Sequence, residues 1–330
     1  MKLDRLERRA FIRMLGAAGA SSAIARTSLG QQLGTPLVGV LSSSRADPAL
    51  SAAFKQGLSE AGFAEGTGVA VDYRWADDQY DKLPALAAEL VARKVWVIAA
   101  FGLVAALAAK SAARGIPIVF VVESDPIKSG LVSNLMQPGG NATGVSFRAS
   151  ELTATQFDLL QQLATDLAAI GLLVNPNNPT VARDLEAAGG AHAKKLIVVK
   201  AGRDEDLNAA FSSLVAQGAR GLVVPRDPFF LDQPEKLVAL TTQHKLPAIF
   251  PAREFAAAGG LMSYGASIAG PRTQVGIYTG FILKGTPVIQ LPIQQDVNVE
   301  LVINLDTASA LGFTVPVSLL SKADSVIQRR

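Results

Sequence analysis

Short aliphatic runs alternate along this chain with longer segments in which apolar residues recur at helical spacing. Residues 36–41 (PLVGVL) form the first apolar run, and residues 48–62 follow as a helix-like segment that ends at a glycine. The alternation continues, and it predicts strands at residues 69–73, 95–100 and 116–122, with helices at residues 83–92 and 103–114. Because these strands are aliphatic almost throughout, they are typical of a parallel sheet covered by helices on both faces.

A second series with the same order begins near residue 169. It predicts strands at residues 169–174, 196–199, 221–224 and 247–250, with helices at residues 207–217 and 235–244. The alternative is one long doubly wound sheet, but such a sheet would need more than ten strands, which is unusual. The chain is therefore predicted to be an α/β protein with two Rossmann-like parallel-sheet lobes.

The two predicted lobes are expected to be joined by several crossings of the chain. The strand at residues 143–147 is expected to leave the first lobe, and the strand at 260–264 with the helix at 271–284 is expected to return to it. Residues 291–295 are a candidate third crossing. These assignments give a first lobe of residues 36–146 and 260–290 and a second lobe of residues 147–257 and 293–330. Multiple crossings make a hinge, and a hinge between two lobes makes a cleft that can close on a ligand.

Parallel sheets bind ligands at the carboxyl ends of their strands, so the residues that follow each predicted strand are the candidates for a binding site. They are Ser42, Ser43, Phe101, Gly102, Ser124 and Asp125 in the first lobe, and Asn175, Asp227 and Phe250 in the second, with Tyr264 beside the hinge. Hydroxyl and backbone N–H groups suit an anion, a carboxylate suits an ammonium group or a hydroxyl, and aromatic rings offer flat apolar walls. Each residue also has a structural alternative, because serine and aspartate cap helices or turns and aromatic rings pack in cores.

The N-terminal residues have the pattern of an export signal. Arg8 and Arg9 are followed by an aromatic and an aliphatic residue, and then by the uncharged run of residues 14–25, which ends in an A-x-A sequence. At 12 residues this run is too short for a transmembrane helix, which needs about 20. We therefore predict a twin-arginine-type signal peptide at residues 1–25, cleavage after Ala25 and a periplasmic location. The alternative, an amphipathic helix, is disfavoured by the glycines and serines of the run.

Composition narrows the range of functions further. The formal net charge is +3, but residues 1–26 carry a net +4, so the rest of the chain is at −1 and its charge gives no argument for nucleic acid. The chain has no cysteine, and it contains no H-E-x-x-H, G-x-S-x-G or P-loop sequence. We therefore predict a binding protein with no catalytic residue, no metal and no cofactor. An exported enzyme and a ligand-sensing regulatory domain of the same fold are the alternatives.

Several short runs together resemble one family, the ABC transporter substrate-binding proteins often labelled tryptophan/tyrosine-type. The runs are IPIVF at residues 116–120, SDP at 124–126, PGGNATG at 138–144, NPNNP at 175–179, DPFF at 227–230, AGGLMSYG at 258–265 and ELVINL at 300–305. The resemblance implies the fold of type I periplasmic binding proteins. It also implies an extracytoplasmic receptor that captures a small molecule, with an amino acid or an aromatic relative of one as the candidate, for a membrane permease and its ATPase. Phe101 stands where such proteins usually have a threonine or a second glycine, so the family label does not transfer to this chain's ligand.

Overall fold

Two sheets carry the fold, and parallel pairing dominates both. The computed structural model describes residues 35–147, 149–164, 167–180, 195–295 and 298–328. The predicted signal peptide at residues 1–25 lies outside the described residues. From Thr35 onward the chain forms one compact unit.

Within these ranges the first sheet has five strands in the order β2-β1-β3-β4-β5, and all of its pairs are parallel. The strands are β1 (Leu37–Ser42), β2 (Ala70–Trp75), β3 (Val97–Phe101), β4 (Ile118–Val122) and β5 (Ala142–Ser146); the helices between them are α1 (Pro48–Glu60), α2 (Leu83–Ala92) and α3 (Leu103–Ala112). Helix α1 begins where it does because the Asp47 carboxylate accepts the N–H groups of Ala49 and Leu50, while Pro48 has the φ angle of a first helical turn.

The second sheet, counted over the same residues, has seven strands in the order β12-β11-β10-β9-β8-β6-β7. The strands are β6 (Ile170–Val174), β7 (Leu196–Lys200), β8 (Gly221–Val223), β9 (Ala248–Phe250), β10 (Met262–Ala266), β11 (Val299–Asn304) and β12 (Ser325–Ile327). Strands β10 and β11 are antiparallel, and the other pairs are parallel. The helices that follow α3 are α4 (Ala149–Leu163), α5 (Asp206–Ala216), α6 (Pro228–Leu231), α7 (Pro234–Gln243), α8 (Arg253–Ala257), α9 (Ala269–Leu283), α10 (Leu305–Ala310) and α11 (Val317–Leu320).

The predicted α/β class with two parallel-sheet lobes is confirmed, and one strand was placed in the wrong sheet. We expected residues 260–264 to return to the first lobe, but β10 pairs with β9 and β11 in the second sheet. Strand β10 lies in the second sheet because the short helix α8, which connects β9 to β10, packs on β10. The three elements therefore form a β-α-β unit within one sheet. The return to the first lobe takes place one element later, in α9.

The chain changes lobe at three places in the described residues. Strand β5 ends in the first sheet, and α4 then packs on β8, β9 and β10 of the second. Helix α9 leads back to the first lobe. Gln294 then extends the first sheet, donating to the Gly144 carbonyl at 3.0 Å and accepting from the Ser146 N–H at 2.8 Å, before β11 begins in the second sheet.

Each sheet has an apolar cluster on both of its faces, as aliphatic strands require. In the first lobe one cluster contains Leu90 and Phe120 and the other contains Phe54 and Phe101. In the second lobe one contains Phe211 and the other Phe157. None of the helices in the described ranges combines the length and the apolar character that spanning a bilayer requires.

Helix α9 is attached to the first lobe through an unusually close contact with α1. Gly276 of α9 faces Gly57 of α1, and a Cβ atom at Gly276 would lie 2.9 Å from the Gly57 Cα and would collide with the Phe54 carbonyl oxygen. A Cβ at Gly57 would likewise collide with the Thr273 carbonyl oxygen. Because the clashing atoms belong to helical backbone, a side chain at either glycine would force the two helices apart.

We therefore expect Gly276→Ala to lower the free energy of unfolding by about 1–3 kcal/mol, the usual cost of overpacking. Gly270→Ala is the matched control, because Gly270 lies in the same helix and has no atom within 4 Å of its would-be Cβ. Chemical denaturation of both variants measures the difference. Equal stability of the two variants would contradict a close α1–α9 contact.

Candidate functional site

The main cavity lies between the carboxyl ends of the two sheets. It has a volume of about 460 Å³ and is lined by residues that follow β1, β3, β4 and β5 in the first sheet and β8, β9 and β10 in the second. This volume is within the range of about 300–1,000 Å³ typical of small-molecule pockets. A cavity with walls from both lobes is the arrangement that the sequence predicted.

Four of the predicted residues line this cavity together: Ser42, Ser43, Phe101 and Gly102. The Ser42 hydroxyl is 2.9 Å from the hydroxyl of Ser44. Gly102 has a φ of 97°, and a Cβ there would lie 3.0 Å from the Ser43 hydroxyl, so glycine keeps this corner of the wall open. The Phe101 ring packs edge-on against Phe54 at 5.9 Å and contributes apolar wall.

Three arginines line the cavity, and sequence reasoning selected none of them. Arg272 pairs with Asp47 at 2.8 Å, and Arg253 pairs with Glu300 at 2.9 Å. Arg226 has no ion pair within the described residues, and its Nη1 atom is buried without a hydrogen-bond partner there. Burial lowers the pKa of Arg226 to about 10, with the nearby Glu123 carboxylate acting in the opposite direction. The guanidinium therefore remains protonated at neutral pH.

Asn175 and Asp227 belong to a buried hydrogen-bond network, and they are absent from the cavity wall. The Asp227 carboxylate accepts from the side-chain amides of Asn175 at 3.0 Å and Asn178 at 2.7 Å, and from the Phe229 N–H at 2.9 Å. Burial raises the pKa of Asp227, and these three hydrogen bonds oppose the rise. The network caps α6 and fixes the backbone that carries Arg226. The structure places Asn175 and Asp227 in this supporting network and not in the cavity wall, and their contact with a ligand stays a prediction.

Ser124 and Asp125 also lie outside the lining of the cavity. The Asp125 carboxylate accepts hydrogen bonds from the N–H groups of Ile127 at 2.9 Å and Lys128 at 3.2 Å. Asp125 therefore caps a turn, which was the structural alternative to a contact with the ligand. The Ser124 hydroxyl is buried and has no hydrogen-bond partner among the described residues. Glu123, one residue before Ser124, does line the cavity.

Phe250 and Tyr264 pack in the core of the second lobe, again outside the cavity lining. Phe250 is fully buried and stacks on Phe255 with ring centroids 4.8 Å apart. The half-buried Tyr264 packs against the cluster that contains Phe157. Gln156 donates to the backbone carbonyls of both residues, at 3.2 Å to Phe250 and 2.9 Å to Tyr264. For these two aromatics the core-packing alternative fits the structure.

Acidic side chains of the two lobes face each other beside the cavity. The Tyr80 hydroxyl donates to Asp227 Oδ2 at 3.5 Å across the lobes. Asp78 lies nearby, paired with Arg45 at 3.3 Å, and its side chain is only 9% exposed. Burial raises the pKa of Asp78 to about 7, and the negative charge of Asp232 is the next largest cause. The carboxylates of Asp227 and Asp77 also raise this pKa, whereas the positive charge of Arg45 lowers it. Burial also raises the pKa of Asp232. The Asp78 carboxyl group is therefore partly protonated near neutral pH.

No group of three or more histidine, aspartate or glutamate side chains in the described ranges is placed to hold a metal ion. What the cavity offers is one unpaired cation, several carboxylates, hydroxyls and aromatic surface. This combination suits a small organic molecule with both charged and apolar parts.

Comparison with known proteins agrees with this fold. The sequence profile of the family described as ABC transporter substrate binding protein matches residues 40–327. A tyrosine-binding protein of Clostridioides difficile (strain R20291) is 27% identical over 262 residues, which are 78% of this chain and 75% of that protein. The crystal structure of a conserved domain protein from Vibrio cholerae is 28% identical with a TM-score of 0.77, and covers 89% of this chain and all of that one. An ABC domain in complex with L-Trp from Streptococcus pneumonia has the same fold, with 24% identity, a TM-score of 0.76 and the same coverage.

The architecture is that of a type I periplasmic binding protein. The profile match spans almost the whole described chain, so this chain belongs to the ABC transporter substrate binding protein family. It is accordingly a solute-binding protein and not an enzyme, as the sequence predicted.

The proton on Asp78 predicts a specific pH dependence of stability. A carboxylic acid whose pKa is higher in the folded state than in the unfolded state contributes stability at low pH, and loses it as the pH rises from about 4 to its folded value, here about 7. Asp78→Asn removes this loss, so we expect the variant to melt about 2–4 °C above wild type at pH 8 and close to it at pH 4.5.

The matched control is Asp77→Asn. Asp77 is the exposed neighbour of Asp78 and has a similar left-handed backbone, with a φ of 52° beside 63° at Asp78. Its melting temperature should follow wild type at both pH values. A difference between Asp78→Asn and wild type that is the same at pH 4.5 and pH 8 would contradict the assignment.

Proposed function

We propose that this protein is the extracytoplasmic receptor of an ABC importer and that its solute is an amino acid with an apolar or aromatic side chain. The observation that carries the proposal is the composition of the cavity, in which acidic side chains and aromatic walls surround the same space as Arg226, whose Nη1 atom is buried without a partner in the described residues. A zwitterion with an apolar side chain has a complementary group for each of these features. The tyrosine-binding relative supports the same class of solute.

The acidic and apolar parts of the cavity suit the remaining parts of such a solute. Glu123 of the first lobe and Glu254 of the second both line the cavity, so a ligand ammonium has a carboxylate within the walls of either lobe. Phe101 and Phe147 provide flat apolar surface on the same walls. Burial of a ligand side chain against these rings would add the hydrophobic part of the affinity.

Capture by closure of the two lobes is the proposed mechanism. A ligand that touches both walls stabilises the closed arrangement, because only there do its contacts with the two lobes exist together. The closed form is then the form that a permease with its ATPase recognises. Coupling to transport is favoured over the alternative of an uncoupled sensing domain, because the family is that of transporter substrate binding proteins.

The proposed solute class is tested by a melting screen of the chain from residue 26 onward with the twenty standard amino acids. A true ligand at about 100 times its Kd should raise the melting temperature by roughly 5 °C, since such saturation contributes about 2.7 kcal/mol. Isothermal titration calorimetry then measures the Kd of each hit, and D-ribose and putrescine serve as controls without a carboxylate. The absence of any hit among the amino acids would contradict this solute class.

Export is the other part of the proposal, and the pair Arg8-Arg9 supports it. Replacing both arginines by lysine keeps the charge but removes the twin-arginine pattern, so uncleaved precursor should accumulate in the cytoplasm. Arg13→Lys, which makes the same exchange outside the pair, should leave export unchanged. Fractionation followed by immunoblotting measures both, and normal export of the double variant would contradict the twin-arginine assignment.

A further inference from the structure

We infer that Arg226 is the residue that selects the ligand, by pairing with a carboxylate that the solute must carry. This inference rests on the proposed function in one respect, that the inter-lobe cavity is the ligand site. It goes further, because it assigns one end of the solute to one side chain and excludes amines, esters and sugars as solutes.

The position of Arg226 follows from the strand that precedes it. Strand β8 ends at Val223 and points its carboxyl end at the cavity, and Arg226 follows after two buried residues. The next residue, Asp227, turns into the protein and is held by Asn175, Asn178 and the Phe229 N–H. These bonds fix the backbone on the C-terminal side of Arg226, and so the point from which its side chain extends to the cavity.

The electrostatic state of Arg226 differs from that of its two neighbours in the cavity. Arg253 and Arg272 each have a carboxylate partner, at 2.9 Å and 2.8 Å, and are neutralised within the protein. Arg226 lines the same cavity with its Nη1 atom buried and unpaired among the described residues. A buried charge without a partner is destabilising, and a ligand anion that pairs with it removes that penalty.

The surroundings of the guanidinium favour a carboxylate over other anions. The Arg226 Cζ lies over the Phe147 ring, 5.9 Å from its centroid, which is within the range of a cation–π contact. A guanidinium can form a two-point contact with a carboxylate through its in-plane N–H groups. Apart from the two neutralised pairs, the other charged side chains of the lining are the acids Glu123, Asp232 and Glu254. Three carboxylates around one cation would repel a phosphate dianion but tolerate a monoanion that brings its own ammonium group.

The test compares solutes that differ only at the carboxylate. The probes are L-tyrosine and L-tryptophan, their decarboxylated amines tyramine and tryptamine, their methyl esters, and 3-phenylpropanoate, which has a carboxylate and no ammonium group. We expect wild type to bind the amino acids at least about 30-fold more tightly than the amines or the esters. Arg226→Gln should lose about 30-fold or more for the acids and less than threefold for the amines, and Arg226→Lys should fall between.

A matched control and a second measurement separate recognition from folding. Arg220→Gln makes the same exchange at the exposed residue just before β8, at the opposite end of the strand, and should bind as wild type does. Without ligand, Arg226→Gln should melt at or above the temperature of wild type, because an unpaired buried charge has been removed. An arginine that only supported the structure would instead lower that temperature.

The outcomes distinguish this inference from the proposed function. If the amino acids bind and their esters bind equally well, or if Arg226→Gln binds them within threefold of wild type, the role of Arg226 is overturned while the proposed function stands. If only 3-phenylpropanoate binds, and Arg226→Gln loses it, the role of Arg226 stands and the amino-acid solute is wrong. If no probe binds wild type, both the aromatic amino-acid solute and this role of Arg226 are rejected.

Discussion

Parallel strand pairing is the constraint on which the binding cavity depends. In a parallel sheet the carboxyl ends of all strands lie at the same edge, so loops that are far apart in sequence come together there. Here two such edges face each other, and the cavity takes its wall from the loops after seven strands. Strand β11 is the exception, because it is antiparallel to β10, and it begins after the chain has passed between the lobes for the last time.

The sequence was sufficient to predict that the cavity lies at the carboxyl ends of the strands. It was sufficient for only some of the side chains that face the cavity. Aliphatic runs located the strands, so Ser42, Ser43, Phe101 and Gly102 were found by position alone. In the second lobe the sequence predicts Asp227 as a site residue, whereas the structure has its neighbour Arg226 in the cavity wall. Adjacent side chains point in opposite directions, and which of the two points into the core depends on the partners available there. Those partners, Asn175 and Asn178, lie about fifty residues earlier in the chain. The sheet to which β10 belongs depended in the same way on pairing that the local pattern does not contain.

Charged groups in and beside the cavity are accommodated in three different ways. Where an arginine has a carboxylate partner, as at Arg272 with Asp47, the pair fastens α9 to the start of α1 and serves the architecture. Where it has none among the described residues, as at Arg226, the inferred role is to bind a ligand anion, and the expected cost is a loss of stability in the free protein. The protonated acid at Asp78 is a third solution, in which a buried group avoids the cost of ionisation by keeping its proton.

Helix α9 also has a consequence for the order in which the protein matures. Although it follows the second sheet's β10 in sequence, it packs on α1 of the first lobe through Gly57 and Gly276. The first lobe is therefore incomplete until residues near 283 have been synthesised, and an N-terminal fragment that ends after β5 lacks the helix that covers one of its faces. Such long-range closure slows folding, because the intervening chain must be ordered first. For a protein whose proposed export route accepts folded cargo, translocation would then wait for almost the whole chain.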